Sequence, residues 1–347
     1  VLVTGAAGAG LIGRGEARAE PHLTWSTELN DSVRALHAAW VDGQGAYAVG
    51  DSGIILRRAV QGDRVTWSDE TTGIDAALFA VTGDAHALYA VGARGTILRH
   101  DRARASAGWE IEPSGTAADL HGVTIVEGTL AFAVGAGGTV LKKALPDGAW
   151  SAMASGTRTD LRAVLSPRAQ GALPDDVYAV GDSGTIIHLD DAWQAPRWTA
   201  QTSGTGADLS AITEVNGDVL VGGIGGVLLR QHRSSVSKLG AGLYFATPWT
   251  RESAGTTEDI VALASGQEVL SARGEASDAA VFVATQSGVV VGRSRPEGFE
   301  RVGLVEEPWR LSGMATAPRD DGGIAGLADV YLVSGAGVVV HGTPRAL

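Results

Sequence analysis

The chain has 347 residues, of which 49 are Gly, 11 Pro, 9 Trp and none Cys, and its formal charge of -12 comes from 27 basic and 39 acidic residues. Glycine at twice its ordinary share of about 7% excludes long uninterrupted helices, the lack of a strict three-residue glycine period excludes collagen, and 44% hydrophobic content excludes a disordered chain. The missing cysteines remove disulfide frameworks, thiolate zinc sites and cysteine nucleophiles, while the acidic balance argues against nucleic acid or an anionic membrane as partner.

Residues 1–21 come first and contain a false lead. Gly8-Ala9-Gly10-Leu11-Ile12-Gly13 fits the G-x-G-x-x-G of a dinucleotide-binding turn. A helix after Gly13 would meet Pro21 within two turns, and no βαβ unit follows, so no cofactor is expected. A trimmed secretion signal is the second reading, with residues 1–12 as its apolar core and Ala17-Arg18-Ala19 as a small-x-small cleavage site. Arg14, Glu16 and Arg18 sit badly with it, and we favour a Gly-rich arm lying on its own domain or on a neighbour.

From residue 22 onward one unit repeats. AYAVGDSGIILR at 46–57 returns as LYAVGARGTILR at 88–99, AFAVGAGGTVLK at 131–142 and VYAVGDSGTIIH at 177–188. Weaker copies stand at 219–230, 281–292 and 330–341, which makes seven. Each copy reads as a first strand, an apolar second strand, a Gly-rich turn, a third strand, and a polar fourth strand carrying Trp. Those aromatics are Trp25, Trp67, Trp109, Trp150, Trp198, Trp249 and, in the sixth unit, Phe299. Their intervals of 42, 42, 41, 48, 51 and 50 match a four-stranded propeller blade. Ser-Gly-Thr at 114–116, 155–157 and 203–205, and Ala254-Gly255-Thr256, mark the links between blades. The seventh unit lacks its own outer strand, and Leu23-Thr24-Trp25-Ser26 can supply it, closing the ring and hiding two sheet edges. The expected fold is therefore all-β, a seven-bladed propeller of four-stranded antiparallel blades over residues 22–347, closed by an N-terminal outer strand.

These repeats resemble the seven-bladed propellers of the photosystem II stability and assembly factor type, related to Asp-box, sialidase-like propellers. The resemblance covers residues 22–342 and implies a non-catalytic scaffold or assembly role and an extracytoplasmic setting, periplasmic, cell-surface or secreted. The sixth and seventh units depart from the pattern, and residues 146–150 keep only a fragment of an Asp box.

Candidate chemistry reduces largely to structure. Gly50-Asp51-Ser52-Gly53 and Gly181-Asp182-Ser183-Gly184 spell a serine-protease nucleophile sequence, yet both occupy the repeat's turn, where an Asp bonded to its own backbone is the expected arrangement. None of the eight His forms a helix-borne zinc pair. Third-strand Arg57, Arg99, Lys142, His188, Arg230 and His341 form a positional ring, read as an anion-binding stripe or, by preference, as stems packed on the adjacent Trp. Asp119, Asp160, Asp208 and Asp259 precede innermost strands and could hold Ca²⁺, but are expected to bond turn N–H groups instead. No catalytic, cofactor or metal residues are assigned.

Loop length gives the functional expectation. The long connections are residues 166–175, 232–246, 265–279 and 317–328, all on one side of the disk over blades 4 to 7. The insertion at 232–246 combines His232, Arg233 and Lys238 with Leu243, Tyr244 and Phe245, an aromatic cluster beside cations that suits a protein interface. The sequence thus points to a non-enzymatic protein-binding or assembly scaffold within a larger complex, with a glycan-binding or glycan-cleaving propeller as the alternative.

Overall fold

The structure is a computed structural model and describes residues 22–345 apart from 31–33, 43–44, 63, 71, 168–175, 191–195, 216, 239–240, 266–278, 296–297, 307–309 and 318–328. Seven four-stranded antiparallel sheets follow one another around an axis. Innermost strands are Leu36–Asp42, Leu78–Gly83, Leu120–Val126, Leu161–Leu165, Leu209–Val215, Ile260–Ser265 and Leu311–Ala317, which define blades 1 to 7. Six blades take their outer strand from the same repeat. Blade 7 takes His22–Asn30, which pairs with Val338–Arg345 in a register setting Trp25 opposite Gly342. The seven-blade count and the closing strand agree with the sequence reading. Residues 1–21, read there as an arm, lie outside the described residues.

The second strand of each blade is apolar over most of its length because neighbouring blades cover both its faces. Leu88, Tyr89, Ala90 and Val91 are all fully buried. Strands normally alternate when one face meets water, so a continuous run is the mark of a sheet packed on both sides. The core is accordingly a circle of inter-blade clusters, such as Tyr47 and Val49 of blade 1 with Leu78, Val81 and Leu88 of blade 2. In blades 1 to 4 the second-strand ring also meets the outer-strand Trp of the next blade edge-on. Tyr47–Trp109, Tyr89–Trp150, Phe132–Trp198 and Tyr178–Trp249 have centroids 6.0 to 6.2 Å apart and ring planes 78° to 89° apart.

A polar clasp repeats beside those rings. Three residues after the Trp of one blade stands a Glu or Gln that accepts the indole N–H of the next: Glu28 from Trp67 (3.1 Å), Glu70 from Trp109 (2.8 Å), Glu112 from Trp150 (2.8 Å) and Gln201 from Trp249 (2.6 Å). The same acceptors hold a third-strand side chain, Arg58 on Glu28, Lys143 on Glu112 and Gln231 on Gln201. At the closing seam Glu28 is 6% exposed, accepts two bonds from Arg58 at 2.7 and 2.8 Å, and lies 3.0 Å from His341 Nδ1. The N-terminal strand is thereby held by backbone pairing to blade 7 and by a buried ion pair to blade 1.

The third-strand ring differs from its expected packing. Register sets Arg57, Arg99, Lys142, His188 and His341 opposite second-strand Tyr47, Tyr89, Phe132, Tyr178 and Tyr331 rather than opposite Trp. The two His stack on their Tyr, at 4.2 and 4.5 Å between centroids. The Trp instead sits one register position away and turns to the preceding blade.

The turns between second and third strands of blades 1 to 5 are double left-handed. Ser183 has φ 56° and Gly184 φ 68°. A Cβ on Gly184 would fall 2.0 Å from the Thr205 carbonyl oxygen of the Ser-Gly-Thr link, so the two glycine-bearing motifs of the sequence pack against each other.

Candidate functional site

Each innermost strand carries an irregularity directly after its first residue, so that one residue per blade bulges out of register. The bulged residues are His37, Phe79, His121, Arg162, Ser210, Val261 and Ser312. Bulges re-aim side chains at the rims of closed β structures, and here all seven residues line an axial cavity of about 250 Å³ together with small residues such as Ala38, Ala80, Gly122 and Ala163. The cavity lies at the start of the innermost strands, the end nearest the second-to-third-strand turns and the inter-blade links. His37, Phe79 and His121 form a row of rings there, 5.7 and 5.5 Å between centroids. Ser210 and Ser312 donate to the carbonyls of Ile260 and Leu36 in the following blades.

Carboxylates surround that row. Asp182 binds Arg162 through two bonds, 2.8 and 2.9 Å, and Asp160 approaches the same guanidinium at 3.7 Å. Asp51 lies 2.8 Å from His37 Nε2. These contacts correct the expectation for the two Gly-Asp-Ser-Gly turns, whose Asp side chains reach the bulged residue of their own blade rather than their own backbone. The bond from Arg162 holds Asp182 below the usual carboxylate range, against a smaller opposing effect of burial. Burial, reinforced by Arg162, holds His121 below the ordinary imidazole value.

The four Asp before innermost strands bond turn N–H groups, as the sequence suggested, but the turns belong to the preceding blade. Asp119, Asp160, Asp208 and Asp259 accept from the backbone N–H of Arg94, Gly137, Ser183 and Gly225, each at 2.8 Å. Their own carbonyls accept from the turn of their own blade in three cases, Ala136, Asp182 and Ile224 onto Asp119, Asp160 and Asp208. One residue thus ties two blades together.

The opposite face carries the insertion of blade 5. Strands Arg233–Lys238 and Ala241–Ala246 form a separate two-stranded hairpin between the third and fourth strands of the blade. Register sets Ser235 opposite Tyr244 and Ser234 opposite Phe245. The side chains of Lys238, Leu243, Tyr244 and Phe245 lie outside the described residues. His232 is 57% exposed and bonded to Asp218. Arg233, expected at a partner surface, is only 6% exposed: its guanidinium pairs with buried Asp176 of blade 4 and lies over the Tyr178 ring at 5.8 Å. It roots the hairpin on the neighbouring blade. The other three long connections fall almost wholly outside the described residues.

Neither a family model nor a curated protein matches this sequence. Solved structures do match. The WD40 repeats of RRP9 superpose with a TM-score of 0.67 over 92% of this chain and 97% of that one, at 10% identity. U3-55K gives 0.65 over 92% and 98%, also at 10% identity. The likeness is one of fold. It supports the seven-bladed ring and leaves the narrower resemblance to photosystem II assembly factors on the repeat residues alone.

Sequence reasoning missed the bulged ring. Its one signal was that His37 and His121 each follow the leucine that opens an innermost strand. Among the described residues Arg162 is the one arginine in the bulged ring, and its charge is already shared by two carboxylates. No group of three or more His, Asp or Glu suited to a metal ion occurs among them either, and no helix of the described residues is long and apolar enough to cross a membrane.

Proposed function

We propose that this chain is a non-enzymatic propeller serving as a protein-binding or assembly scaffold, an accessory subunit of a larger extracytoplasmic or membrane-associated complex. The observation that carries the reading is the blade 5 hairpin. It is the one described strand pair outside the blade grammar, it contributes nothing to the ring's own sheets, and a buried ion pair fixes its root. A two-stranded hairpin is marginal in water by itself, and a partner laid along Lys238, Leu243, Tyr244 and Phe245 would complete it. The extracytoplasmic setting rests on the resemblance of the repeats.

Support also comes from what the polar residues are occupied with. The Asp, Glu and Trp that recur around the ring bond from blade to blade, and Asp182 titrates in the direction opposite to that of a glycosidase proton donor. The test is affinity purification from the native source with quantitative mass spectrometry. It compares the natural chain with Tyr244→Ser/Phe245→Ser and with a chain whose residues 233–246 are replaced by a tight turn. The same partners should be lost from both variants at unchanged thermal stability; full retention of those partners would reject the hairpin as the contact.

A further inference from the structure

The seven bulges deliver side chains of unequal chemistry to one mouth. Part of the mouth is a row of tilted rings, His37, Phe79 and His121, with Arg162 next in the bulged ring. Asp119, Asp160 and Asp182 act electrostatically on His121, and Asp160, Asp182 and Asp208 on Arg162. That group sets four carboxylates, Asp119, Asp160, Asp182 and Asp208, around the Arg162 guanidinium, with carboxylate charge in excess. Asp119, Asp160 and Asp208 each commit one oxygen to a turn N–H. Among the described residues the second oxygens of Asp119 and Asp208 have no hydrogen bond.

The sign of the ligand follows. An anion would face that negative field, with the nearest guanidinium already held by Asp182. A neutral polyol could donate to the open carboxylate oxygens but would leave their charge uncompensated, and the hydroxyl protons of Ser210 and Ser312 are committed to backbone carbonyls. An organic cation finds both carboxylates and ring faces, the two surfaces that attract it. A planar guanidinium uses them better than an ammonium, because it stacks on a ring and pairs side-on with a carboxylate, as Arg162 and Asp182 already do. The cavity of about 250 Å³ that the bulged residues line with Ala, Gly and larger apolar side chains such as Ile212, Leu263 and Met314 has room for an extended side chain.

We propose that the turn-face mouth of the axial channel takes up an arginine side chain presented by an extended basic segment of a partner protein. This goes beyond the hairpin reading, since it places a second contact on the opposite face.

The probe is a fluorescein-labelled peptide amide, Gly-Gly-Arg-Gly-Gly, titrated against the full chain by anisotropy at low and moderate salt. Its citrulline counterpart and spermidine serve as competitors. The arginine peptide should bind at least about tenfold more tightly than the citrulline peptide, the equivalent of one well-placed charge contact, and salt should weaken it. The combined Asp119→Asn/Asp160→Asn/Asp208→Asn variant keeps an amide oxygen for each turn N–H while removing three charges, and should lose that preference. Phe79→Leu keeps apolar volume, removes a ring face, leaves the turns untouched, and should weaken binding by several-fold. The chain lacking the hairpin should bind the peptide undiminished. Equal binding of arginine and citrulline peptides would overturn the proposal, as would undiminished binding by Phe79→Leu, or uptake of spermidine without uptake of the peptide.

Discussion

Met153 stands where the neighbouring blades place Glu112 and Gln201, and the indole N–H of Trp198 in the next blade is left buried without an acceptor. Met153 packs against the cluster that contains Trp198, so the position is filled by an apolar side chain of similar length. The clasp is missing at this junction between blades 3 and 4, and at Trp25 of blade 7, whose indole N–H is likewise buried without an acceptor. A buried N–H left unmade costs on the order of 1 to 3 kcal/mol. Met153→Gln supplies the missing oxygen without burying a charge. We expect it to stabilise the chain by about 1 kcal/mol, read as a higher urea midpoint at unchanged slope. Gln201→Leu, which orphans the Trp249 N–H, should shift the midpoint the other way. A Met153→Gln midpoint at or below that of the natural chain would show that the indole bond does not drive the clasp.

The closing seam concentrates its polar contacts on Glu28, which serves Arg58, Trp67 and His341 at once. Removing one partner from a buried ion pair leaves the other charge uncompensated, at a cost of about 3 to 5 kcal/mol. Glu28→Ala should therefore destabilise more than Glu70→Ala, whose carboxylate lies 3.6 Å from Arg57, itself 43% exposed. Deleting residues 1–30 removes the whole outer strand of blade 7 and should lower the thermal midpoint further than either. A truncated chain as stable as the natural one would refute ring closure by this strand.

How much of this was legible follows from what repeats. The apolar second strands, the Gly-rich turns and the Trp intervals recur with the same residue types, and so the blade count and the closing strand could be read directly. The bulged ring could not, because His37, Phe79, His121, Arg162, Ser210, Val261 and Ser312 share a position and no chemistry. A bulge leaves no residue signature when its residue need not be Gly. The Asp before four of the innermost strands was recognised as a turn binder. Its choice of the preceding blade's turn depends on blade stacking, which no local pattern encodes. Arg233 looked like a surface cation because its partner Asp176 is 57 positions away, on another blade.

Proton dependence at the seam has two limbs of opposite sign. Burial would raise the Glu28 pKa, but the bonds from Arg58 and His341 outweigh it and bring the group from 4.5 down to about 2. A depressed carboxyl stabilises above its unfolded value and loses that contribution as pH falls through the folded one. The window is thus about 4.5 down to about 2, worth about 3 kcal/mol. His341 moves up: burial opposes its charge, and Asp329 and Glu28 together overcome that. Its contribution is full below 6.5 and fades as pH rises past the raised value. Urea midpoints measured across pH should show the gap between the natural chain and Glu28→Gln closing on the acid limb. The gap to His341→Gln should close on the alkaline limb. Gaps that stay constant with pH would contradict the assignment of either group.

Two glycines on neighbouring motifs separate backbone strain from crowding. Gly184 and Gly204 both have positive φ, 68° and 74°. An added Cβ at Gly204 meets nothing within 4 Å, whereas at Gly184 it would lie 2.0 Å from the Thr205 carbonyl oxygen and 2.9 Å from Ser203 Oγ. Gly204→Ala should cost only the left-handed conformation, about 1 to 2 kcal/mol. Gly184→Ala must also push the turn off the link between blades 4 and 5, disturbing the Ser183 N–H bond to Asp208. It should cost at least about 2 kcal/mol more than its neighbour, within the range seen for overpacked sites. Comparing the two midpoints in urea, with slopes equal, isolates the crowding contribution. Equal losses at both positions would mean that the turn and the link can part without penalty, and that the paired glycines of turn and link serve the turn alone.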